Sequence, residues 1–191
     1  MTFVQAVPED EATGQVAALY ERETARMGYL PNSVRAFSHR PDVYRAWQQL
    51  NGAIKAHDPR RYELATLAAA RRLRSSYCAL AHGKVLAEQF LDTRAVAALP
   101  EGLDEADRAV MALAEKVVDD ATSVEPRDID RLRELGLSDG EIVDVVLAAA
   151  ARCFFSKTLD ALGAQPDARF LELDPELRDS LVVGRPIEST G

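Results

Sequence analysis

The chain has few cysteines, fewer basic than acidic residues and no long apolar run, and each of these features excludes a class of protein. Its 191 residues include two cysteines, too few for the disulfide framework of a secreted domain, so we expect a cytoplasmic protein in a reducing compartment. The longest apolar stretch, from Val143 to Phe155, is interrupted by Asp144 and Arg152 and is shorter than the ~20 residues that cross a bilayer. No basic segment followed by an apolar one opens the chain, so no secretory signal is expected.

Acidic residues outnumber basic ones, 31 to 23, and the formal net charge is −8. This balance repels phosphate backbones and anionic lipid headgroups, so we expect neither nucleic acid nor a membrane as a partner. The densest basic cluster, Arg71, Arg72 and Arg74, is typical of a helix C-terminus, where cations complement exposed carbonyl groups.

Apolar residues recur with helical spacing from end to end, and no segment alternates in the manner of a strand, so the sequence predicts an all-α fold. Predicted helices cover residues 8–27, 59–74, 77–91 and 139–162, and further helices begin near Pro41, Asp104 and Pro126. In the helix from Pro41, the predicted apolar face consists of Val43, Trp47, Leu50 and Ile54.

Local start and stop signals support these boundaries. Asp58 precedes Pro59 and can cap the helix that this proline opens, and residues 138–141 form a capping box. Gly28 and Gly163 follow the last apolar positions of their helices, where a glycine commonly ends a helix.

No linker or repeat divides the chain, so residues 1–191 are expected to form a single all-helical domain. Its core should span about residues 8–165, and residues 166–191 are expected to form a C-terminal arm on the surface or against a neighbouring subunit. The segment from Val143 to Phe155 is apolar on more than one stripe, which predicts a homo-oligomer, either a dimer or a multiple of it.

Chemistry-bearing residues concentrate between Glu63 and His82. Cys78 and His82 are four residues apart on one predicted helix, so their side chains lie on the same face. Cys78 falls in the first turn of that helix, where free N–H groups and the helix dipole favour a thiolate. A neighbouring imidazole can take the thiol proton, a pairing that makes a cysteine nucleophilic.

Glu63 lies on the preceding helix. If the two helices fold back at Ser75, Glu63 and His82 are offset by roughly 6 Å along the axis. A tilted crossing would close this gap, which suggests a relay in the order Cys78, His82, Glu63. A purely structural interpretation is also open, in which Cys78 is a small buried core residue and His82 is a hydrogen-bonded structural histidine. They do not form the closed ligand set typical of zinc, so neither a metal nor another cofactor is predicted. Cys153, within an apolar run, is interpreted as a core residue.

These residues resemble the alkylhydroperoxidase-D-like branch of the carboxymuconolactone decarboxylase superfamily. That branch carries a glutamate, a Cys-x-x-Cys motif and a histidine four residues after the second cysteine. Glu63, Cys78 and His82 match, and Ser75 takes the place of the first cysteine. The segments 30–32, 39–41 and 137–163 resemble the family's "peroxidase-related" members.

The resemblance implies a compact helical bundle that assembles into homo-oligomers. It also implies that Cys78 attacks peroxide and that His82 and Glu63 relay protons. Tyr77 stands where some relatives carry a second histidine. Because Ser75 cannot form a disulfide, a cysteine oxidised to sulfenic acid needs an external thiol, or Cys153, to be reduced.

The resemblance therefore indicates a thiol-dependent peroxidase that acts on hydrogen peroxide or small organic hydroperoxides. Two alternatives stay open. One is a lactone-acid decarboxylase-like enzyme of the same superfamily, in which His82 or Glu63 moves protons. The other is a non-catalytic helical oligomer whose cysteine senses oxidants or only packs.

Overall fold

The computed structural model describes residues 2–189, which fold into ten α-helices and contain no strand. This confirms the predicted all-α class. The helices are α1 (Gly14–Met27), α2 (Asn32–Arg35), α3 (Pro41–Lys55), α4 (Pro59–Arg72), α5 (Ser76–Gln89), α6 (Thr93–Ala97), α7 (Glu105–Asp120), α8 (Pro126–Glu134), α9 (Asp139–Ala161) and α10 (Pro175–Leu181). No helix in the described part of the chain is long and apolar enough to span a bilayer.

Helix α4 forms the centre of the molecule. Every residue from Tyr62 to Ala70 is buried, so this helix contacts neighbours on all sides, and these neighbours are α5, α7 and α9. A helix that is apolar all round suits such a central position. Glu63 is the one ionisable carboxylate within this buried stretch. A buried carboxylate is costly unless it is paired, so Glu63 is expected to have charged or hydrogen-bonding partners.

Several helix boundaries form as their local signals predict. The Asp58 carboxylate accepts a hydrogen bond from the Arg61 N–H at 2.9 Å and caps α4. The capping box at Ser138 and Glu141 opens α9. Gly28 ends α1 with a φ of 78°, and Gly163 follows α9 with a φ of 76°, both in the left-handed region that favours glycine.

Two details of the predicted helices are wrong. The first helix begins at Gly14 and not at Pro8, because Gly14 has a φ of 55°, which a continuous right-handed helix cannot include. In α3, Trp47 and Ile54 are buried as predicted, but Leu50 is 52% exposed. The buried face of α3 is rotated toward Tyr44 because the helix packs between α1 and α9.

Within the predicted C-terminal arm, residues 175–189 pack on the helices of the same chain. Leu177 and Leu181 of α10 are buried against the same chain, where α10 packs on α5 and α6. Gly83 permits this approach, since a Cβ atom there would lie 2.5 Å from Leu181 Cδ1. Beyond α10, the Gly184 N–H donates to Ser76 Oγ at 2.7 Å. The tail thus holds the start of α5, the helix that carries Cys78.

Candidate active site

Cys78 lies in the first turn of α5 and is 1% exposed. Arg74, with a φ of 57°, reverses the chain after α4, and Ser75 then takes an extended conformation at the N-cap of α5. This turn directs the first turn of α5 into the interior. The free N–H groups at a helix start favour negative charge, so the position suits a thiolate.

The structure brings Glu63 and His82 together. His82 Nδ1 lies 2.5 Å from Glu63 Oε2, and Lys55 Nζ donates to the other oxygen of the same carboxylate, also at 2.5 Å. The Glu63 side chain is 1% exposed, whereas that of His82 is 15% exposed. The carboxylate is therefore enclosed between an imidazole and an ammonium group.

The pKa values of Glu63 and His82 depend on their burial and on the charged groups beside them. Burial acts to raise the pKa of Glu63, but His82 and Lys55 outweigh it and leave that pKa below its ordinary value. Burial and the positive charge of Arg152 lower the pKa of His82, although Glu63 opposes them. His82 is then neutral near pH 7. When its Nδ1–H donates to Glu63, its Nε2 lone pair is left to accept a proton.

Arg152 of α9 is the neighbour of Cys78 that the sequence reasoning missed. Its Nη1 donates to Cys78 Sγ at 3.4 Å, and its Nη2 donates to the Tyr62 hydroxyl at 3.2 Å. The side chain is buried and its guanidinium lies over the rings of Trp47 and Phe155, 5.5 and 5.6 Å from their centroids. A single cation within the otherwise apolar stretch of residues 145–155 in α9 was the signal that could have identified it.

Arg152 has no carboxylate partner among residues 2–189: its hydrogen bonds go to the sulfur of Cys78 and to the hydroxyl of Tyr62. A buried guanidinium without a counter-ion is costly, so the group that faces it is favoured as an anion. The thiol of Cys78 is one of the two groups that Arg152 faces, the other being the Tyr62 hydroxyl. Tyr62 is held in place by Asn51, to whose side-chain oxygen its hydroxyl donates.

A cavity of about 170 Å³ adjoins Cys78. His82 and Arg152 also line it, so the three groups face one space, although within the described residues no hydrogen bond joins Cys78 directly to His82. Aromatic side chains form much of the remaining wall, and Arg26 and Met27 line the cavity where α1 ends. The arrangement can place a small molecule between a sulfur nucleophile, a proton acceptor and a fixed cation.

The other two sequence-identified residues lie apart from this cavity. Ser75 is fully buried at the N-cap of α5 and is not among the described residues that line the cavity. Cys153 follows Arg152 on α9 but is only half-buried, so its interpretation as a core residue is wrong. Successive residues of a helix point about 100° apart, so the side chain of Arg152 points into the interior and that of Cys153 points toward the surface. Both cysteines are free thiols.

The fold is that of the alkylhydroperoxidase-D-like proteins, which confirms the resemblance at the level of architecture. No protein-family model and no curated protein sequence matches the chain. Among solved structures it is similar to the alkylhydroperoxidase AhpD core, an uncharacterized peroxidase-related protein from Ralstonia eutropha JMP134. The TM-score is 0.77 at 23% identity, over 90% of this chain and 95% of that one.

Two further structures share the architecture. An uncharacterized peroxidase-related protein from Silicibacter sp. TM1040 matches with a TM-score of 0.68 at 18% identity, over 86% of this chain and 88% of that one. The debrominase Bmp8 matches with a TM-score of 0.73 at 18% identity, over 95% and 98% of the two chains. The three TM-scores establish a common fold.

The buried pair gives a pH-dependent stability. The pKa of His82 is lowered from 6.5 and that of Glu63 from 4.5, so in both cases the folded chain binds fewer protons than the unfolded chain. The contribution of each group to the free energy of unfolding is fully present at pH values above its ordinary pKa. The free energy of unfolding should therefore fall as the pH drops below about 6.5, and fall further below about 4.5.

Urea unfolding between about pH 7 and pH 4 measures this effect. In the variant His82→Gln, the decrease that begins near pH 6.5 should be smaller than in the wild type. Equal slopes for the two proteins between about pH 6.5 and pH 5 would contradict a neutral, buried His82.

Proposed function

We propose that the chain is a thiol-dependent peroxidase in which Cys78 attacks hydrogen peroxide or a small organic hydroperoxide. The observation that carries this proposal is the hydrogen bond from Arg152 to Cys78 Sγ. Arg152 is buried and has no carboxylate partner in residues 2–189. A cation fixed in a low-dielectric interior stabilises the thiolate, which is the nucleophilic form of cysteine. It also stabilises the negative charge that spreads onto the peroxide oxygens during attack.

His82 and Glu63 supply the proton transfers. Neutral His82 takes the Cys78 proton and returns it to the leaving oxygen, and Glu63 keeps the imidazole in the tautomer that this transfer needs. Lys55 holds Glu63 from the opposite side. The proposed relay therefore has the order Cys78, His82, Glu63.

Each step balances in atoms and electrons. The thiolate attacks one peroxide oxygen, an S–O bond forms, the O–O bond breaks, and the leaving alkoxide or hydroxide accepts the proton held by His82. Cys78 is oxidised to a sulfenic acid and the peroxide is reduced to an alcohol or water. An external low-molecular-weight thiol then forms a mixed disulfide with Cys78 and releases water. A second thiol restores the cysteine.

Ser75 makes the external thiol necessary. A hydroxyl group cannot condense with a sulfenic acid to give a disulfide. This chain therefore cannot use the dithiol cycle of Cys-x-x-Cys relatives. Cys153 follows Arg152 on α9 but does not line the described part of the cavity. We expect it to have no part in reducing Cys78.

Mass spectrometry after brief peroxide treatment tests the proposal. With a sulfenic-acid trap present, the trap should label Cys78 and leave Cys153 unmodified. With a small thiol present, the wild type should consume peroxide over many turnovers. Labelling of Cys78 without turnover would favour the redox sensor. No labelling of Cys78 would favour the decarboxylase-like alternative or a structural cysteine, and either outcome would contradict the proposal.

The proposed assembly is a homodimer formed through α9. Val143, Leu147 and Phe154 are 54%, 43% and 46% exposed, and with Ala150 they share one face of the helix at spacings of three and four residues. Leu50, on the neighbouring helix α3, is also exposed. A continuous apolar surface of this kind is typical of an interface, and the same face on a second copy has matching chemistry.

The variant Leu147→Asp should therefore be monomeric, because it places a charge in the centre of the α9 face. Light scattering coupled to gel filtration at micromolar concentration measures the mass. Leu171→Asp is the matched control, since Leu171 is 42% exposed outside this face. A wild-type monomer, or the same loss of mass in both variants, would contradict the proposed interface.

A further inference from the structure

The cavity at Cys78 is lined on one side by aromatic rings, beside polar groups that include Arg26, Ser33 and Asp167. Its aromatic lining residues are Tyr29, Tyr44, Tyr77, Phe155 and Phe170. Phe155 stacks on Trp47 with centroids 4.9 Å apart and an interplanar angle of 13°. Phe170 meets Tyr77 edge to face, with centroids 6.1 Å apart. The wall is therefore held in shape by one aromatic contact within it and by one with Trp47, which is not among its lining residues.

Two of the three tyrosine hydroxyl groups of this wall, those of Tyr77 and Tyr29, are already engaged. Tyr77 donates to Asp167 Oδ2 at 2.5 Å and accepts from the Ser33 N–H at 3.1 Å, and Tyr29 donates to the same carboxylate oxygen at 3.1 Å. Asp167 is fixed in turn by the Asn32 N–H at 2.7 Å. The two tyrosines thus offer mainly ring surface to an occupant.

The polar end of the cavity is at Arg152. Its Nε is buried and has no hydrogen-bond partner in residues 2–189, although the two terminal nitrogens are engaged. Because Arg152 and Cys78 both line the cavity, an oxygen of the occupant can lie beside this buried cation and the sulfur. A ligand with an oxygen-rich end and an aromatic body fits both ends of the cavity.

Size and access agree with such a ligand. An apolar cavity of about 150 Å³ in a protein interior accepts one benzene ring, and this cavity has about 170 Å³. Hydrogen peroxide alone would leave most of that volume unused. The cavity reaches the surface at Arg26 and Met27, which are 57% and 39% exposed, so a ligand can enter there.

We propose that this cavity is a binding site for a single aromatic ring, and that the organic hydroperoxides used by the protein carry an aryl group. The second statement rests on the proposed peroxidase function. The ring lies against Phe155 and Phe170, and the peroxide group points to Cys78 and Arg152. Attack by the thiolate forms the S–O bond and breaks the O–O bond, and the aryl-substituted alkoxide leaves as the alcohol with the proton from His82.

Binding is tested without any reaction. Trp47 is the single tryptophan and stacks on the cavity wall, so its fluorescence reports occupancy. The probe is 2-phenyl-2-propanol, and tert-butanol is the matched probe without a ring. The aryl alcohol should change Trp47 fluorescence with saturation, and tert-butanol should not. The variant Phe170→Leu should weaken the response, whereas Leu171→Ala, at an exposed neighbour, should not.

Turnover tests the substrate class. With a small thiol in excess, kcat/KM for cumene hydroperoxide should exceed that for tert-butyl hydroperoxide by at least about tenfold. Phe170→Leu should reduce this ratio and Leu171→Ala should preserve it.

The outcomes separate this inference from the proposed function. Equal kcat/KM values with no saturable binding of the aryl alcohol would overturn the aromatic site and leave the peroxidase in place. Saturable binding with no consumption of either hydroperoxide would support the aromatic site and overturn the peroxidase. If Phe170→Leu does not fold, the comparison of the two alcohols and of the two hydroperoxides on the wild type still decides both questions.

Discussion

Replacement of Arg152 by methionine should lower kcat/KM for peroxide by about 100- to 1,000-fold, the usual cost of removing one preorganised donor from a developing charge. The guanidinium is the one cation that hydrogen-bonds Cys78 Sγ in the described structure, so its loss removes both the partner of the thiolate and the stabilisation of the attacked peroxide. Methionine keeps much of the apolar volume between Trp47 and Phe155.

The same variant should be as stable as the wild type or more stable. A buried cation without a carboxylate partner is costly, and its replacement by an apolar side chain of similar volume is often neutral or stabilising. Thermal unfolding and stopped-flow peroxide kinetics measure the two effects together. A structural arginine would give the opposite pattern, a large loss of stability with little change in rate per folded molecule. Arg152→Lys keeps the charge and should retain part of the activity.

Replacement of Cys78 by serine should abolish thiol-dependent peroxide consumption, because a neutral hydroxyl is a far weaker nucleophile than a thiolate. Cys153→Ser is the matched control on the second cysteine. It should keep nearly full activity, since Cys153 is half-buried and does not line the described cavity. Peroxide consumption with an added small thiol measures both variants.

Activity that survives Cys78→Ser would remove the basis of the proposed function. A loss of multiple turnovers in Cys153→Ser, with the first turnover intact, would instead show that Cys153 reduces the oxidised Cys78 within the assembly. A single-turnover burst measured at equal enzyme and peroxide concentrations distinguishes these two results.

The helices were predictable where their ends depend on adjacent residues. The Asp58 cap, the Ser138–Glu141 capping box and the glycine that ends α9 act over one turn of chain, and each forms as its sequence indicates. The start of α1 was mispredicted because Pro8 opens only a short 3-10 turn, Glu9–Glu11, and the positive φ of Gly14 separates this turn from the helix. The rotation of α3 depends on the packing of α1 and α9, which no local signal records.

The sequence by itself determined the all-α class, and it placed Cys78 and His82 on one helical face four residues apart, because helical periodicity is a local property. The tertiary structure alone decided that Arg152, 74 residues after Cys78, would face its sulfur. It also decided that aromatic residues from α3, α5, α9 and two other segments would enclose one cavity. Contacts of this kind depend on how α4, α5 and α9 pack, and packing is set by the shape of whole buried surfaces rather than by neighbouring residues.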